Sequence, residues 1–306
     1  MVDLSLDLGK FKIKNPVMTA SGTFGYGVEY SEYYSLEDLG AVVVKGIAPF
    51  ESHGNPTPRV AETTSGMLNA IGLQGPGIDK FLSEKKYMPF LRESKATTIV
   101  NIWGKSIEDY VEVAKRLDAE PAGIAALEIN ISCPNVKEGG VAFGTDTKLA
   151  DKVISEIRKA TTLPLITKLS PNVTNIAEFA KVAENAGSDM VSLINTLTGM
   201  AININTRRPK IANITGGLSG PAIKPIAVRM VYEVAKAVSI PVIGMGGIMN
   251  ADDAIEFLLA GASAIAVGTA IFADPMTPLK IIEGIENYMK KNRLDKISDI
   301  IGKIEV

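Results

Sequence analysis

The stretch 240–270, IPVIGMGGIMNADDAIEFLLAGASAIAVGTA, decides the fold. It begins with an apolar run, breaks at two glycines, continues as an amphipathic segment and ends on a second apolar run. Short apolar runs bounded by glycine read as strands covered on both faces. Between them Asn250 is placed as a helix N-cap, and Gly261 stops the helix. Strand, helix and strand in so short a span make a right-handed βαβ unit of a parallel sheet.

The same pattern recurs toward the N-terminus. Apolar, β-branched runs stand at PVMTAS (16–21), AVVVKG (41–46), TTIVNIW (97–103), ALEINIS (126–132), LPLITKLS (163–170) and DMVSLIN (189–195). With the two runs above they make eight, separated by helical patterns. In 106–117, SIEDYVEVAKRL, Ser106 is the predicted cap and Ile107, Val111, Ala114 and Leu117 the predicted apolar stripe. Eight strand–helix repeats predict a (β/α)8 barrel of the TIM class. No proline- or serine-rich linker interrupts the series, so residues 1–306 read as one domain. Insertions at 47–80 and 196–223, rich in Gly, Pro, Asn and Thr, follow strands and become long βα loops over the catalytic face.

Composition narrows the function. The chain has 306 residues, 46% hydrophobic and 22% charged, which suits a globular protein with a large core. A net charge of −2 gives no overall basic excess of the kind that attracts nucleic acid or anionic lipid. One cysteine permits no internal disulfide and no four-thiolate cluster, and fits a reducing compartment. The start, MVDLSLDLGKFKIKNPV, has no apolar run long enough for a signal peptide or a membrane span, so the chain reads as cytoplasmic.

In such a barrel the strand C-termini point into one mouth. There the sequence places Ser21, Lys45, Asn101, Asn130, Lys168 and Asn195, one from each of the first six strands. A lysine ending a buried strand is costly without an anion or an electron-rich partner. Strands seven and eight instead end in GMGGI (244–248) and GTAIF (268–272), glycine-rich turns entering helices, whose bare N–H groups suit a phosphate. Neither is GxGxxG, the usual dinucleotide fingerprint. A phosphate pocket ringed by lysines and asparagines fits a flavin mononucleotide, the amides addressing the pyrimidine edge and a cation favouring the reduced, anionic ring. A Schiff-base aldolase with Lys168 as nucleophile, and a barrel that only binds a phosphate ligand, remain alternatives at this point.

Cys133, the lone cysteine, opens the loop of EINISCPNVKEGGVAFGTD (128–146). A thiol of ordinary pKa near 8.5 serves as a general base near neutrality where the site favours its thiolate. Gly139, Gly140 and Gly144 read as hinges of a lid; the plainer alternative is a buried structural thiol. His53, the one histidine, reads as a solvent-facing or loop-ordering residue, and one histidine makes neither a triad nor a metal cluster.

NISCPNVKEGGVAFGTD (130–146) stands with GMLNAIGLQGPG (66–77), ITKLSPN (166–172), SLINTLTGMAIN (192–203), GGLSGPAIKPIA (216–227), GMGGI and AVGTAIF. This set, in this order from about Val17 to Ile282, resembles the dihydroorotate dehydrogenases, most closely the catalytic subunit of the NAD-linked class 1B. The resemblance implies oxidation of (S)-dihydroorotate to orotate in pyrimidine synthesis on FMN in a (β/α)8 barrel. It implies that Cys133 takes the C5 proton while the C6 hydride goes to flavin N5. Substrate would be held by Asn69, Asn130, Asn195 and Thr196, assisted by Lys45 and by the backbone of Ala70, Ile71, Gly72 and Leu73. FMN contacts would come from Ser21, Lys45, Gly46, Asn101 and Asn130, from Lys168, Ile194 and Gly220, and from Gly246, Gly247, Gly268 and Thr269. The class further implies a partner subunit with FAD and a [2Fe–2S] cluster, NAD+ as final acceptor, and a heterotetramer of two subunits of each kind. The neighbouring readings are a class 1A homodimer that reduces fumarate, and a tRNA dihydrouridine synthase.

Overall fold

The computed structural model describes residues 2–120, 122–132 and 143–305. Eight parallel strands form its central sheet: β1 (Val17–Thr19), β2 (Val42–Ile47), β3 (Thr98–Ile102), β4 (Ala126–Asn130), β5 (Leu165–Lys168), β6 (Met190–Leu193), β7 (Val242–Met245) and β8 (Ala264–Val267). Each pairs with its sequence neighbour from β2 onward, and β8 returns to β1. Between β1 and β2 the closure is a bridge at Met18 and Ala41, reinforced by the Thr19 hydroxyl, which accepts from the Val43 N–H at 2.9 Å. The (β/α)8 barrel predicted from the apolar runs is the observed fold.

Strand parity sorts the chain into two cores. Met18, Val43, Ile99, Ala126, Ile166, Met190, Ile243 and Ala264 are buried in one cluster inside the barrel. The intervening positions, such as Val44, Val100, Leu127 and Leu165, pack outward against the helices. A small N-terminal hairpin, Leu6–Asp7 paired with Lys12–Ile13, sets Leu8 and Ile13 into the interior cluster and floors the barrel. Its two-residue strands were too short to announce themselves in sequence.

The helix Ile107–Asp118 begins at Ser106, whose hydroxyl accepts from the Asp109 N–H while Asp109 answers the Ser106 N–H in a capping box. Its buried face is Ile107, Tyr110, Val113, Ala114 and Leu117, and Val111 is only half-buried. Ile107, Ala114 and Leu117 of the predicted stripe lie on that face, which also takes in Val113 and Tyr110 with its polar tip. That tip donates to the Asn130 carbonyl at 2.8 Å, at the end of β4.

The two insertions are more ordered than loops. Val60–Thr63, Gly66–Asn69, Leu197–Met200 and Thr215–Ser219 form one antiparallel sheet in which Gly217 stands opposite both Asn69 and Thr198. None of the described helices is long and apolar enough to cross a membrane.

Candidate active site

A cleft of about 550 Å³ opens where the strand ends meet this antiparallel sheet. Its volume lies within the range of roughly 300–1,000 Å³ usual for cofactor and small-ligand sites. The two ends differ in chemistry, and each follows from how the strands finish.

One end is bare backbone. After β7 the chain turns through Gly246 and Gly247, both at positive φ, and both line the cleft with Gly220, Gly268 and Thr269. A Cβ on Gly247 would lie 2.9 Å from the Lys224 nitrogen and 3.0 Å from the Gly220 oxygen, so only glycine fits there. The helix that follows begins at Ala251, with Asn250 capping it as expected by accepting from the Asp253 N–H. The glycines therefore contribute a turn, and Asn250 supplies the helix start. After β8 the short helix Ala270–Ala273 follows Thr269 directly, and the Thr269 hydroxyl donates to Ser219 at 2.8 Å.

The other end is cationic and amide-rich. Ser21, Lys45, Asn130, Lys168 and Asn195 line it, as do Ile194 and Thr196. The Lys45 ammonium has its pKa held below the usual lysine range, first by burial and then by the charge of Arg59. Lys168 is buried, donates to the Ser21 hydroxyl at 3.3 Å and stands 3.9 Å from Glu128. Ser132 ties two amides together: its hydroxyl donates to Asn130 Oδ1 at 2.9 Å and accepts from Asn195 Nδ2 at 2.9 Å. That leaves the Asn130 NH2 to donate and the Asn195 carbonyl oxygen to accept, a pair complementary to one amide edge of a ring. From the antiparallel sheet Asn69 reaches the same cleft, its NH2 donating to the Gly217 carbonyl at 3.3 Å, with Ala70, Ile71, Gly72 and Leu73 beside it.

Two predicted contacts stand elsewhere. Gly46 and Asn101 are not part of the lining. Asn101 is turned inward, its NH2 donating to Glu128 at 2.6 Å, and a Cβ on Gly46 would lie 2.7 Å from Asn101 Oδ1. Gly46 thus allows a close approach behind the cleft. His53 is exposed and its carbonyl accepts from Arg59 at 3.2 Å, which matches the loop-residue reading.

The sequence model of a family described as Dihydroorotate dehydrogenase matches residues 4–289. The chain belongs to this family. It is 56% identical over 302 residues to the "Dihydroorotate dehydrogenase B (NAD(+)), catalytic subunit" of Geotalea uraniireducens, covering 99% of this chain and 98% of that protein. The proteins of the same name from Geobacter sulfurreducens and Lachnoclostridium phytofermentans are each 56% identical, over 304 and 292 residues. The first alignment covers 99% of both chains, the second 95% of this chain and 96% of the relative.

Cys133, expected from the sequence as the general base, lies with Gly139 and Gly140 outside the described residues. Its neighbours are placed. Ser132 is buried between Asn130 and Asn195, and beyond the loop Phe143 is buried edge-on to Tyr110. Gly144, expected as a hinge, is a point of close approach, since a Cβ there would meet the Ile131 carbonyl at 2.5 Å. The sequence reading missed Glu128 and Ser192 entirely. Glu128 had a legible signal, a carboxylate inside an apolar strand at the inward parity of Asn130.

Proposed function

We propose that the chain is the catalytic subunit of an NAD+-linked dihydroorotate dehydrogenase, oxidising (S)-dihydroorotate to orotate in the cytoplasm. The observation that carries the reading is the two-ended cleft, bare glycine backbone facing the buried Lys168, the half-buried Lys45 and a ring of amides, in a chain so like the B-type catalytic subunits. The residues present fit FMN. Gly220, Gly246, Gly247, Gly268 and Thr269 would hold its phosphate, with backbone N–H groups no side chain obstructs. Ser21, Lys45, Lys168 and Ile194 would hold the ring, with Gly46 and Asn101 bracing it from behind. FMN bound there supplies the acceptor for the C6 hydride.

The chain's own residues do the rest. Cys133 as thiolate takes the C5 proton, so that proton and hydride leave from neighbouring carbons. Asn130 and Asn195, oriented in opposite senses by Ser132, address an amide edge of the substrate, and Asn69 and Thr196 complete its seat. Lys45, half-buried and poorly solvated, faces the anionic substrate and is favoured in its charged form by it.

Electrons then leave the chain. One cysteine cannot ligate an iron–sulfur cluster and the sequence has no GxGxxG turn, so NAD+ reduction needs a partner. That partner is read as an FAD and [2Fe–2S] subunit in a heterotetramer of two catalytic and two electron-transfer subunits. The test is an absorption spectrum of the purified chain before and after anaerobic dihydroorotate. A flavin spectrum that bleaches supports the reading, and a colourless chain that takes up no FMN ends it. NAD+ reduction only after co-expression with the partner supports the B type; rapid fumarate reduction by the chain alone replaces it with the homodimeric class.

A further inference from the structure

Glu128 is 2% exposed, in the middle of β4, and it is not part of the cleft lining. A carboxylate so placed is costly unless its oxygens are satisfied. Here three other strands satisfy it, its neighbours β3 and β5 and, one strand further, β6. Oε2 accepts from Asn101 of β3 at 2.6 Å, Oε1 accepts from Ser192 of β6 at 2.8 Å, and the Lys168 ammonium of β5 stands 3.9 Å away. Lys168 is itself buried, and donates to Ser21 at the cleft wall. Its cation therefore lies between a fixed anion below and the cleft above.

We propose that Glu128 is the positioning residue of the flavin end, holding the Lys168 ammonium in place and offsetting its charge, so that it sets the reduction potential of a flavin in the cleft. This rests on the FMN reading above. The physical reason is local. An unopposed buried ammonium favours negative charge on a neighbouring ring, and an anion behind it cancels much of that field. Asn101 and Ser192, which bind the carboxylate, fix it against movement toward the cleft. A core polar residue with only a packing role would affect stability and leave the potential alone.

The experiment is a spectroscopic redox titration of FMN in the wild-type holoprotein, in E128Q and K168M, and in the double variant. E128Q keeps the shape and removes the charge. Reduced flavin should then be favoured over oxidised flavin by about tenfold more than in wild type, a rise of ~30 mV for a two-electron couple. K168M should shift the potential the other way. In the K168M background E128Q should still raise the potential through the loss of its own charge, but by less than with Lys168 present, because the part of its effect that comes from holding the ammonium is gone. An unchanged or lowered potential in E128Q, or an equal shift with and without Lys168, overturns the proposal. If E128Q binds no FMN, E128D decides: flavin bound at near the wild-type potential supports a charge-borne role, and loss of flavin there too overturns it. A wild-type chain that takes up no FMN would sink the functional reading itself, whereas a flavin potential indifferent to Glu128 sinks only this inference.

Discussion

Replacing Gly247 by alanine tests whether the glycine turn is a cradle. Its φ of +82° is a conformation that costs an L-residue about 1–2 kcal/mol. The added Cβ would also meet Lys224 Cβ at 2.8 Å, the Lys224 nitrogen at 2.9 Å and the Gly220 oxygen at 3.0 Å. Two of these are backbone atoms that no rotamer change moves, and overpacking of this kind adds roughly 1–3 kcal/mol. At about 2 °C per kcal/mol for a chain of this size, G247A should melt roughly 4–10 °C below wild type even without ligand. Relief requires the Gly220–Lys224 turn to move, and Gly220 and Ile223 line the same cleft. FMN affinity should therefore fall by about tenfold for each 1.4 kcal/mol of misplacement. Gly268 is the control. It lines the cleft too, but a Cβ there has only Ala20 Cβ within reach, at an ordinary 3.5 Å. G268A should melt within about 1 °C of wild type, as an unstrained substitution of negligible cost does. Differential scanning fluorimetry of both apoproteins, with FMN titration by fluorescence quenching, gives the comparison. Equal melting of G247A and wild type, or equal damage by the two substitutions, would refute the argument from close approach.

Other outcomes follow from the same geometry. Cys133→Ser should retain FMN and slow flavin reduction by dihydroorotate at neutral pH, since an alkoxide forms far less readily than a thiolate; stopped-flow rates equal to wild type would remove Cys133 from the chemistry. Lys45→Met should stabilise the ligand-free protein at neutral pH. Because the folded-state pKa of Lys45 is lowered, its penalty is fully present below that pKa and vanishes as pH rises to the ordinary lysine value. Chemical denaturation from pH 7 to 11 should therefore show the advantage of the variant shrinking toward the alkaline end, and a wild type more stable at pH 7 would contradict it. Thr19→Val leaves the buried Val43 N–H without its acceptor at the β1–β2 closure, and should cost about 1–3 kcal/mol in urea unfolding; a change below ~0.5 kcal/mol would show that the barrel closes without it.

How much of this the sequence disclosed depends on how each element is buried. All eight barrel strands were legible because both their faces are covered, so every residue of a run such as Ala126–Asn130 is under the same pressure to be apolar or functional. The caps at Ser106 and Asn250 were legible because they are local, one side chain meeting one N–H three residues on. The antiparallel sheet over the mouth was not. Thr215–Ser219 carries two glycines and, besides its near neighbour Leu197–Met200, pairs with Gly66–Asn69, setting Gly217 opposite a residue 148 positions earlier, a pairing that no local window of the chain reveals. Gly217 makes the point: it is glycine because a Cβ would run into Thr196, a contact between a strand and the preceding loop. Ser21, Lys45, Asn130, Lys168 and Asn195 line the cleft and Asn101 stands beneath it, because position along a strand says how high a residue stands but not what lies between it and the opening.

Parity supplies what height alone does not. Along the inward-facing positions each strand passes from apolar to polar as it climbs: Ile99 to Asn101, Ala126 to Glu128 and then Asn130, Ile166 to Lys168, Met190 to Ser192. The register sets Lys168 beside Asn130 on one side and Ser192 on the other, which leaves Glu128 one step below the lysine. The interior is thus layered, an apolar floor sealed by Leu8 and Ile13, a charged middle, and an open mouth. Asn101 belongs to the middle layer, where its amide serves Glu128, and this is why a residue at a strand end does not reach the cleft. A charged layer directly beneath a ligand and cut off from water by the floor is weakly screened, so a change of one charge there acts on the mouth with little attenuation. The same change on the exposed helices outside the barrel, such as at the Lys159–Glu156 pair, would be lost to solvent. Closing a parallel sheet into a barrel therefore does more than place strand ends together: it gives the ends a dielectric foundation that a surface site lacks.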